Sequence, residues 1–166
     1  HRFEGFACPG NGLVCTNDSL LDTILFQGVQ EGDVRLQGAV GFYRHKATLG
    51  AKSFSARRNA ENFDLDALKE AIAYCHIRGV RVYLTLNILI KDAEMKDAFS
   101  LAQSAYNLGV DGIIVEDLGL ARILHEKIPD LKLHASTQMS VQSIEGVRML
   151  EKLGFSRVVL PRELSE

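Results

Sequence analysis

Residues 78–87 read Arg-Gly-Val-Arg-Val-Tyr-Leu-Thr-Leu-Asn, and this stretch decides the fold class. Its Gly follows an amphipathic helix pattern and precedes an apolar run that is rich in β-branched residues. The same helix-Gly-strand order recurs at Leu108-Gly109-Val110 and at Leu153-Gly154-Phe155. Repeated units of this kind predict an α/β fold that is built on parallel βα repeats.

The limits of the predicted elements follow from capping residues and helix breakers. Asp64 offers a carboxylate N-cap, glycines end three of the helices as left-handed caps, and Pro129 ends the remaining one. Helices are expected from Asp64 to Arg78, from Asp92 to Gly109, over Leu118–Ile128 and from Ser140 or Ser143 to Gly154, and strands over Val80–Leu86, Val110–Val115, Leu131–Ala135 and Arg157–Leu160.

Periodicity alone does not separate the two architectures that use such units, an open doubly wound sheet and a closed (β/α)8 barrel. No glycine-rich dinucleotide-binding motif opens any of the helices. A full barrel takes about 250 residues. The 166 residues of this chain would therefore form an incomplete barrel.

Composition excludes several classes of protein. With 46% hydrophobic and 24% charged residues the chain is ordinary globular protein, and its net charge of -2 gives no overall basic field. No apolar run approaches the roughly 18 residues that a membrane span needs. The odd cysteine count, Cys8, Cys15 and Cys75, argues against a disulfide scaffold and favours the cytoplasm. None of the three stands in a metal-binding motif, so no metal ligands are assigned.

Polar residues follow each predicted strand, where ligands bind in parallel α/β proteins. Ordinary structural roles also fit them. Asp117 is placed to cap the third helix, Glu116 to pair with Arg162, Asn87 to form a turn, and His134 to be a hydrogen-bonded core histidine. The argument for a site therefore rests on the group and not on any one member.

The run 136–138, Ser-Thr-Gln, fits either a binding loop or a polar loop that caps the following helix. Ser136 lacks the context of a nucleophile elbow, and Cys75 lies on the packed face of its helix. No zinc-binding His-Glu-x-x-His helix occurs either. The residues alone thus indicate a site for a polar substrate without naming a reaction.

Six ordered motifs connect the second part of the chain to a known family. They are Leu49–Arg57, Glu61–Phe63, Val82–Asn87, Val115–Gly119, Leu133–Met139 and Arg162–Ser165. With them the chain resembles the collagenase-like U32 peptidase family from Leu49 to Glu166. The resemblance implies a TIM-like (β/α)8 barrel, of which residues 49–166 would be the N-terminal portion and whose remaining strands would be missing from this chain.

The N-terminal part departs from the family pattern. Residues 1–48 are broken by glycines and are expected to be irregular, and Phe42–Thr48 stands where the family has a strand similar to Gly-Ala-Asp-Ala-Val-Tyr. A non-native reading frame or a divergent N-terminus would explain the change. The chain is thus expected to have an irregular region, 1–48, and a barrel region, 49–166.

The resemblance also implies an activity. Family branches are similar to oxygen-independent hydroxylation enzymes that act on tRNA, on ribosomal RNA or on the ubiquinone ring. They use an iron-sulfur cluster held by cysteines beyond the Arg162–Ser165 motif and, in several branches, prephenate as the hydroxyl source. Hydroxylation of an RNA base is the first hypothesis, hydrolysis of a peptide substrate the second, and a non-catalytic binding scaffold the third. This chain alone would hold no cofactor and would be inactive as a hydroxylase.

Carrying the motifs over residue by residue gives the expected site. Glu116 is the candidate for proton transfer, because burial would raise the pKa of its carboxyl group. The expected substrate-binding residues are Arg57, Asn87, Asp117, His134, Ser136, Gln138, Arg162 and Glu163.

Overall fold

The computed structural model describes residues 14–16, 40–43, 46–51, 53–55 and 64–161. Strands and helices alternate through the last of these ranges. In chain order the elements are β1 (Val14–Thr16), β2 (Val40–Tyr43), β3 (Lys46–Gly50), α1 (Leu65–Ile77), β4 (Arg81–Leu86), α2 (Met95–Leu108), β5 (Gly112–Val115), α3 (Leu118–Lys127), β6 (Leu133–Ala135), α4 (Ile144–Lys152) and β7 (Phe155–Val159), with short 3-10 turns at Asp92–Glu94 and Thr137–Met139.

The strands form one seven-stranded sheet in the order β1-β7-β6-β5-β4-β3-β2. Strands β3 to β7 are neighbours in chain order and pair in parallel, β1 adds in parallel to β7, and β2 pairs with β3 in the antiparallel sense. Because β1 and β2 do not pair with each other, the described sheet has two open edges. The predicted fold class, parallel βα repeats of an incomplete barrel, is confirmed.

The helices begin where capping side chains can accept backbone amides. Asp64 accepts from Ala67 N at 2.9 Å, and Ser143 accepts from Gly146 N at 3.1 Å. Gly109 ends α2 in the left-handed conformation, with φ of 95°. These caps confirm the predicted helix starts at Asp64 and Ser143 and the predicted end at Gly109, because each satisfies groups that a helix terminus leaves unpaired.

One face of the sheet packs against the helices. Alternate strand residues lie on that face, since successive side chains of a strand point to opposite sides. Burial of these apolar side chains contributes most of the stabilisation of the fold. The largest of the fully buried side chains are Leu49, Leu68, Leu84, Leu86, Ile113, Leu120, Leu124, Leu133, Leu150, Val82 and Val115.

Three strands, β4, β5 and β6, begin later than the sequence pattern predicts, and helix capping explains the first two. Val80 donates its amide to the carbonyl of Cys75 at 2.9 Å, and Val110 donates to the carbonyl of Ala105 at 3.2 Å. Both amides thus close the preceding helix and do not start a ladder, so the strands begin at Arg81 and Gly112. Helix capping here takes precedence over the β propensity of Val.

The last strand begins two residues earlier than the sequence pattern predicts. The pattern predicts Arg157–Leu160, whereas β7 spans Phe155–Val159. The difference arises from an irregularity in the pairing of β6 with β7, at which the register shifts between Leu133 and His134. Arg157 is therefore the third residue of its strand, whereas the sequence pattern predicts it as the first.

Three strands fall within or across the segment that was expected to be irregular. They are β1, β2 and β3, and the last two overlap Phe42–Thr48. The other residues of that segment lie outside the described part of the chain. The division of the chain at residue 48 stays a prediction.

Replacing Gly154 by Ala should destabilise the fold more than replacing Gly79. Both glycines have positive φ, 92° and 68°, but a Cβ at Gly154 would lie 2.5 Å from Nδ1 of His125 whereas one at Gly79 would meet nothing within 4 Å. We expect a loss of about 1 kcal/mol at Gly79 from the backbone alone and about 2 kcal/mol at Gly154, where the exposed ring of His125 must also move aside. Urea unfolding of both variants measures the difference, and equal losses would contradict the packing of His125.

Candidate functional site

The carboxyl ends of the three central strands are level with one another. In the ladder Leu86 is opposite Val115, and Val115 is opposite Ala135. The residues that follow them, Asn87, Glu116 and Ser136, therefore lie side by side on adjacent strands at one edge of the sheet. This edge brings together an amide, a carboxylate and a hydroxyl, as the sequence pattern predicts.

The same alternation defines a second surface, which we call the inner face: the side of the sheet opposite the helices. Counting back in steps of two from the edge residues gives Thr85 and Tyr83 on β4, Ile114 on β5 and His134 on β6. Thr85 is opposite Ile114, and Ile114 is opposite His134. The inner face thus continues directly into the edge that carries Glu116.

Glu116 is half-buried at the end of the sheet. Burial raises the pKa of its carboxyl group above the ordinary value of 4.5, and the neighbouring charge of Asp117 raises it further. Both effects disfavour the charged form, the first by loss of hydration and the second by repulsion. A carboxyl group with a raised pKa is suited to take up and release a proton.

Asp117 holds two parts of the backbone together. One carboxylate oxygen accepts from Leu120 N at 2.7 Å and so caps α3, while the other accepts from Ile90 N at 3.2 Å. The ordinary capping role considered from the sequence is therefore present. Since Ile90 belongs to the loop after β4, Asp117 also fixes the segment that follows Asn87. A direct role of Asp117 in substrate binding stays a prediction.

Ser136 and Gln138 differ in exposure. Ser136 is buried, and its hydroxyl accepts from Gln138 N at 3.3 Å, which caps the 3-10 turn Thr137–Met139. The side chain of Gln138 is exposed. The polar loop therefore caps its own turn, and α4 has a separate cap in Ser143. Gln138 remains accessible to a ligand at this edge.

His134 is buried against an aromatic ring. Its side chain is 4% exposed, and its ring centroid lies 4.7 Å from that of Tyr83 with the planes 35° apart. Gly112 lies between their strands, and a Cβ there would be 3.2 Å from Cδ1 of Tyr83 and 2.8 Å from the carbonyl of Lys132. The missing side chain at Gly112 thus lets the Tyr83 ring reach across β5 to His134.

A hydrogen-bond chain joins the loop after β3 to the inner face. Thr85 donates its hydroxyl to the carbonyl of Leu49 at 3.1 Å, and the hydroxyls of Thr85 and Ser55 are 3.2 Å apart. Ser55 is 1% exposed. Neither Ser55 nor Tyr83 is among the site residues that the sequence predicts. Counting in steps of two from Asn87 would have found Tyr83, whereas Ser55 lies in a loop and has no periodic signal.

The family model of Peptidase family U32 matches residues 36–166. The chain belongs to Peptidase family U32. The match begins before Leu49, the first residue of the motifs that carry the resemblance, and so includes β2 and β3.

Curated relatives of this U32 chain carry different names. It is 38% identical over 130 residues to a 23S rRNA 5-hydroxycytidine synthase of Escherichia coli, covering 78% of this chain and 18% of that protein. It is 28% identical over 131 residues to a tRNA hydroxylation protein of Bacillus subtilis, covering 79% of this chain and 31% of that protein. A collagenase of Porphyromonas gingivalis is 30% identical over 108 residues, covering 65% of this chain and 25% of that protein. The chain thus spans less than a third of these relatives.

A solved structure of a U32 peptidase supports the fold. It superposes with a TM-score of 0.52 at 17% identity, over 68% of this chain and 49% of the other. At this identity the likeness establishes the α/β arrangement of the sheet and helices.

Three expected site residues lie outside the described residues: Arg57, Arg162 and Glu163. The proposed pairing of Glu116 with Arg162 therefore stays a prediction. Of the other expected residues, Asn87, Glu116 and Ser136 share the edge, Gln138 and Asp117 flank it, and His134 lies on the inner face.

The described part of the U32 chain offers no ligand set for an iron-sulfur cluster. Such a cluster is held by cysteine thiolates. Cys75 is buried on α1 among core residues, and burial raises the pKa of its thiol and so disfavours the thiolate. In these residues no group of three or more His, Cys, Asp or Glu side chains could hold a metal ion. Nor is any helix there long and apolar enough to cross a bilayer.

Glu116→Gln should stabilise the fold at neutral pH. A pKa raised by folding means that the folded state binds the proton more tightly, so the wild-type carboxyl loses stability as the pH rises through the raised pKa. The neutral amide avoids this loss. Denaturant unfolding at pH 7 should give a higher free energy of unfolding for Glu116→Gln, and the difference should vanish below about pH 4, where both side chains are neutral.

The matched control is Glu126→Gln on α3. The hydrogen bond and charge of Arg122 lower the pKa of Glu126, so its charged form favours the folded state. Glu126→Gln should leave the free energy of unfolding at pH 7 unchanged or slightly lower, whereas Glu116→Gln should raise it. A loss of stability in Glu116→Gln at pH 7 would contradict the assigned environment of Glu116.

Proposed function

We propose that the protein containing this chain hydroxylates an RNA base without using molecular oxygen, and that the base binds at the carboxyl edge of β4, β5 and β6. The observation that carries the proposal is the level alignment of Asn87, Glu116 and Ser136 on these strands. The names of two relatives, an rRNA hydroxycytidine synthase and a tRNA hydroxylation protein, support the reaction class.

The edge residues suit a nucleobase. The amides of Asn87 and Gln138 each carry both donors and acceptors, which match the polar rim of a pyrimidine. The hydrogen bonds of Asp117 tie the loop that follows Asn87 to the start of α3, and so restrict the backbone beside the proposed base. A base at this edge must leave its stack to reach the strand ends.

Glu116 is assigned the proton transfer. Replacing a ring hydrogen by a hydroxyl group is a two-electron oxidation of the ring, so the hydroxyl donor must take up two electrons while the ring hydrogen leaves as a proton. A carboxylate at the strand end can accept this proton. Burial raises the pKa of Glu116 and so brings it closer to neutral pH, which makes the carboxylate a better base. Activity that depends on the charged form should rise with pH through a value above 4.5.

The proposal extends to components outside this chain. We expect an iron-sulfur cluster held by cysteines that are not among residues 1–166, prephenate as the source of the hydroxyl group, and a cytoplasmic location. Such a cluster supplies electron transfer when bound. The described residues bind and position the base and move its proton.

Glu116→Gln in the full-length protein should abolish base hydroxylation. The protein, purified and reconstituted without oxygen, is incubated with unmodified ribosomal RNA and, separately, tRNA, and the nucleosides are quantified by mass spectrometry. We expect the variant to form hydroxylated nucleoside at least about 100-fold more slowly, which is the usual contribution of a general acid or base. Glu126→Gln, the same change on the exposed side of α3, should keep the wild-type rate.

Two outcomes would overturn this proposal. One is an unchanged rate of hydroxylation in Glu116→Gln. The other favours the second candidate, a peptidase, which the collagenase among the relatives suggests: cleavage of denatured collagen by the wild-type protein that Glu116→Gln eliminates. Binding of RNA without any turnover in the reconstituted wild-type protein would favour the scaffold.

A further inference from the structure

Strand β7 contains an irregularity that redirects one arginine. Phe155 and Val158 both belong to the core cluster on the helix side, although strict alternation over three residues would place them on opposite faces. The register shift beside β6 accounts for this, and the hydroxyl of Ser156 donates to the carbonyl of Leu133 at 3.1 Å. A bulge of this kind re-aims the next side chain. Arg157 therefore lies on the inner face.

The neighbours of Arg157 on the inner face are aromatic. In the ladder it is opposite His134, and its guanidinium carbon lies 5.8 Å from the ring centroid of Tyr83. Since Tyr83 also contacts His134, the three side chains form one cluster across β4, β6 and β7. We call it the Arg157 cluster.

The guanidinium of Arg157 is incompletely satisfied. Its Nε is buried and has no hydrogen-bond partner, the one such side-chain atom among the described residues. The ion pairs found there join His76 to Asp111 and two arginines to glutamates on their own helices, and none includes Arg157. A buried donor without an acceptor is costly, so a partner at this position is expected.

We propose that Arg157 binds an oxyanion, the carboxylate or phosphate group of a ligand that occupies the inner face. Guanidinium is a planar fork of donors whose geometry matches such groups, and within the described ranges the contacts of the Arg157 charge are to an aromatic ring. The rings of Tyr83 and His134 form the neighbouring surface. The position of Arg157 in the ladder determines which part of the sheet a ligand bound to it would reach.

Arg157 lies two strands from Glu116 in the sheet, about 10 Å at the usual strand spacing. It is opposite His134, two residues before the level of Ser136. A ligand whose anionic end is held by Arg157 would thus present its other end to the edge that carries Glu116. This inference rests on the proposed function only for the place of that edge, and it is tested without turnover.

The first experiment measures anion binding by isothermal titration calorimetry. Wild-type protein is titrated with succinate and, separately, with inorganic phosphate at low ionic strength, and the two titrations distinguish a carboxylate site from a phosphate site. Arg157→Gln should weaken binding of the preferred anion about tenfold or more, because it removes a charged donor. Arg157→Lys should show a smaller loss, since it keeps the charge but not the fork.

The matched control is Arg122→Gln. Arg122 is an exposed arginine on α3 and pairs with Glu126, so its loss removes the same charge from the helix side. It should leave anion affinity unchanged. Equal weakening in both variants would show a general charge effect and would overturn the proposal. It would also be overturned if neither succinate nor phosphate bound to the wild-type protein.

A second measurement does not depend on the folding of a variant. The Nε–H signal of Arg157 in the nitrogen-15 spectrum of the wild-type protein reports the hydrogen bond directly. Saturating anion should shift this signal and slow exchange of its proton with water. An unchanged signal would overturn the proposal and indicate that water satisfies Nε. Hydroxylation activity enters neither experiment, so a failure of the proposed reaction would not affect the result.

Discussion

The parallel register of β4, β5 and β6 is the constraint on which the candidate site depends. Leu86, Val115 and Ala135 are level in the ladder, and the chain leaves the sheet at the same height on all three strands. The apolar pattern of the strands specifies this register, because a shift by one residue would turn every core side chain to the other face of the sheet. The apolar residues on the helix side therefore position the polar residues at the edge.

The two faces of the sheet serve different purposes. The helix side is filled by aliphatic side chains, whereas the inner face carries Tyr83, His134 and Arg157. Polar groups on a buried face cost free energy unless they find partners. The inner face nevertheless keeps such groups, and the absence of a side chain at Gly112 leaves room for the tyrosine ring.

The capping groups show how one residue can act at two levels. Asp117 ends the loop after β5, caps α3 and holds the loop after β4 through Ile90. Its charge also raises the pKa of Glu116, after burial, the larger cause. The residue that stabilises the helix therefore tunes the neighbouring carboxyl group. The capping role of Asp117 is therefore compatible with an effect on the candidate site.

The sequence by itself determined the α/β class, the order of the elements and the polar edge. Helix periodicity, capping residues and glycines are local properties, and the ends of α1, α2 and α4 follow from them. The candidate edge residues Asn87, Glu116 and Ser136 could be predicted because each follows an apolar run in the same direction.

Only the tertiary structure decided the composition of the inner face. The bulge that turns Arg157 inward depends on how β7 pairs with β6, and the contact of Tyr83 with His134 depends on Gly112 between them. Neither relation is a property of a single segment. Both depend on side chains of strands that are distant in sequence, and such pairings become visible only when the ladder fixes which residues are opposite each other.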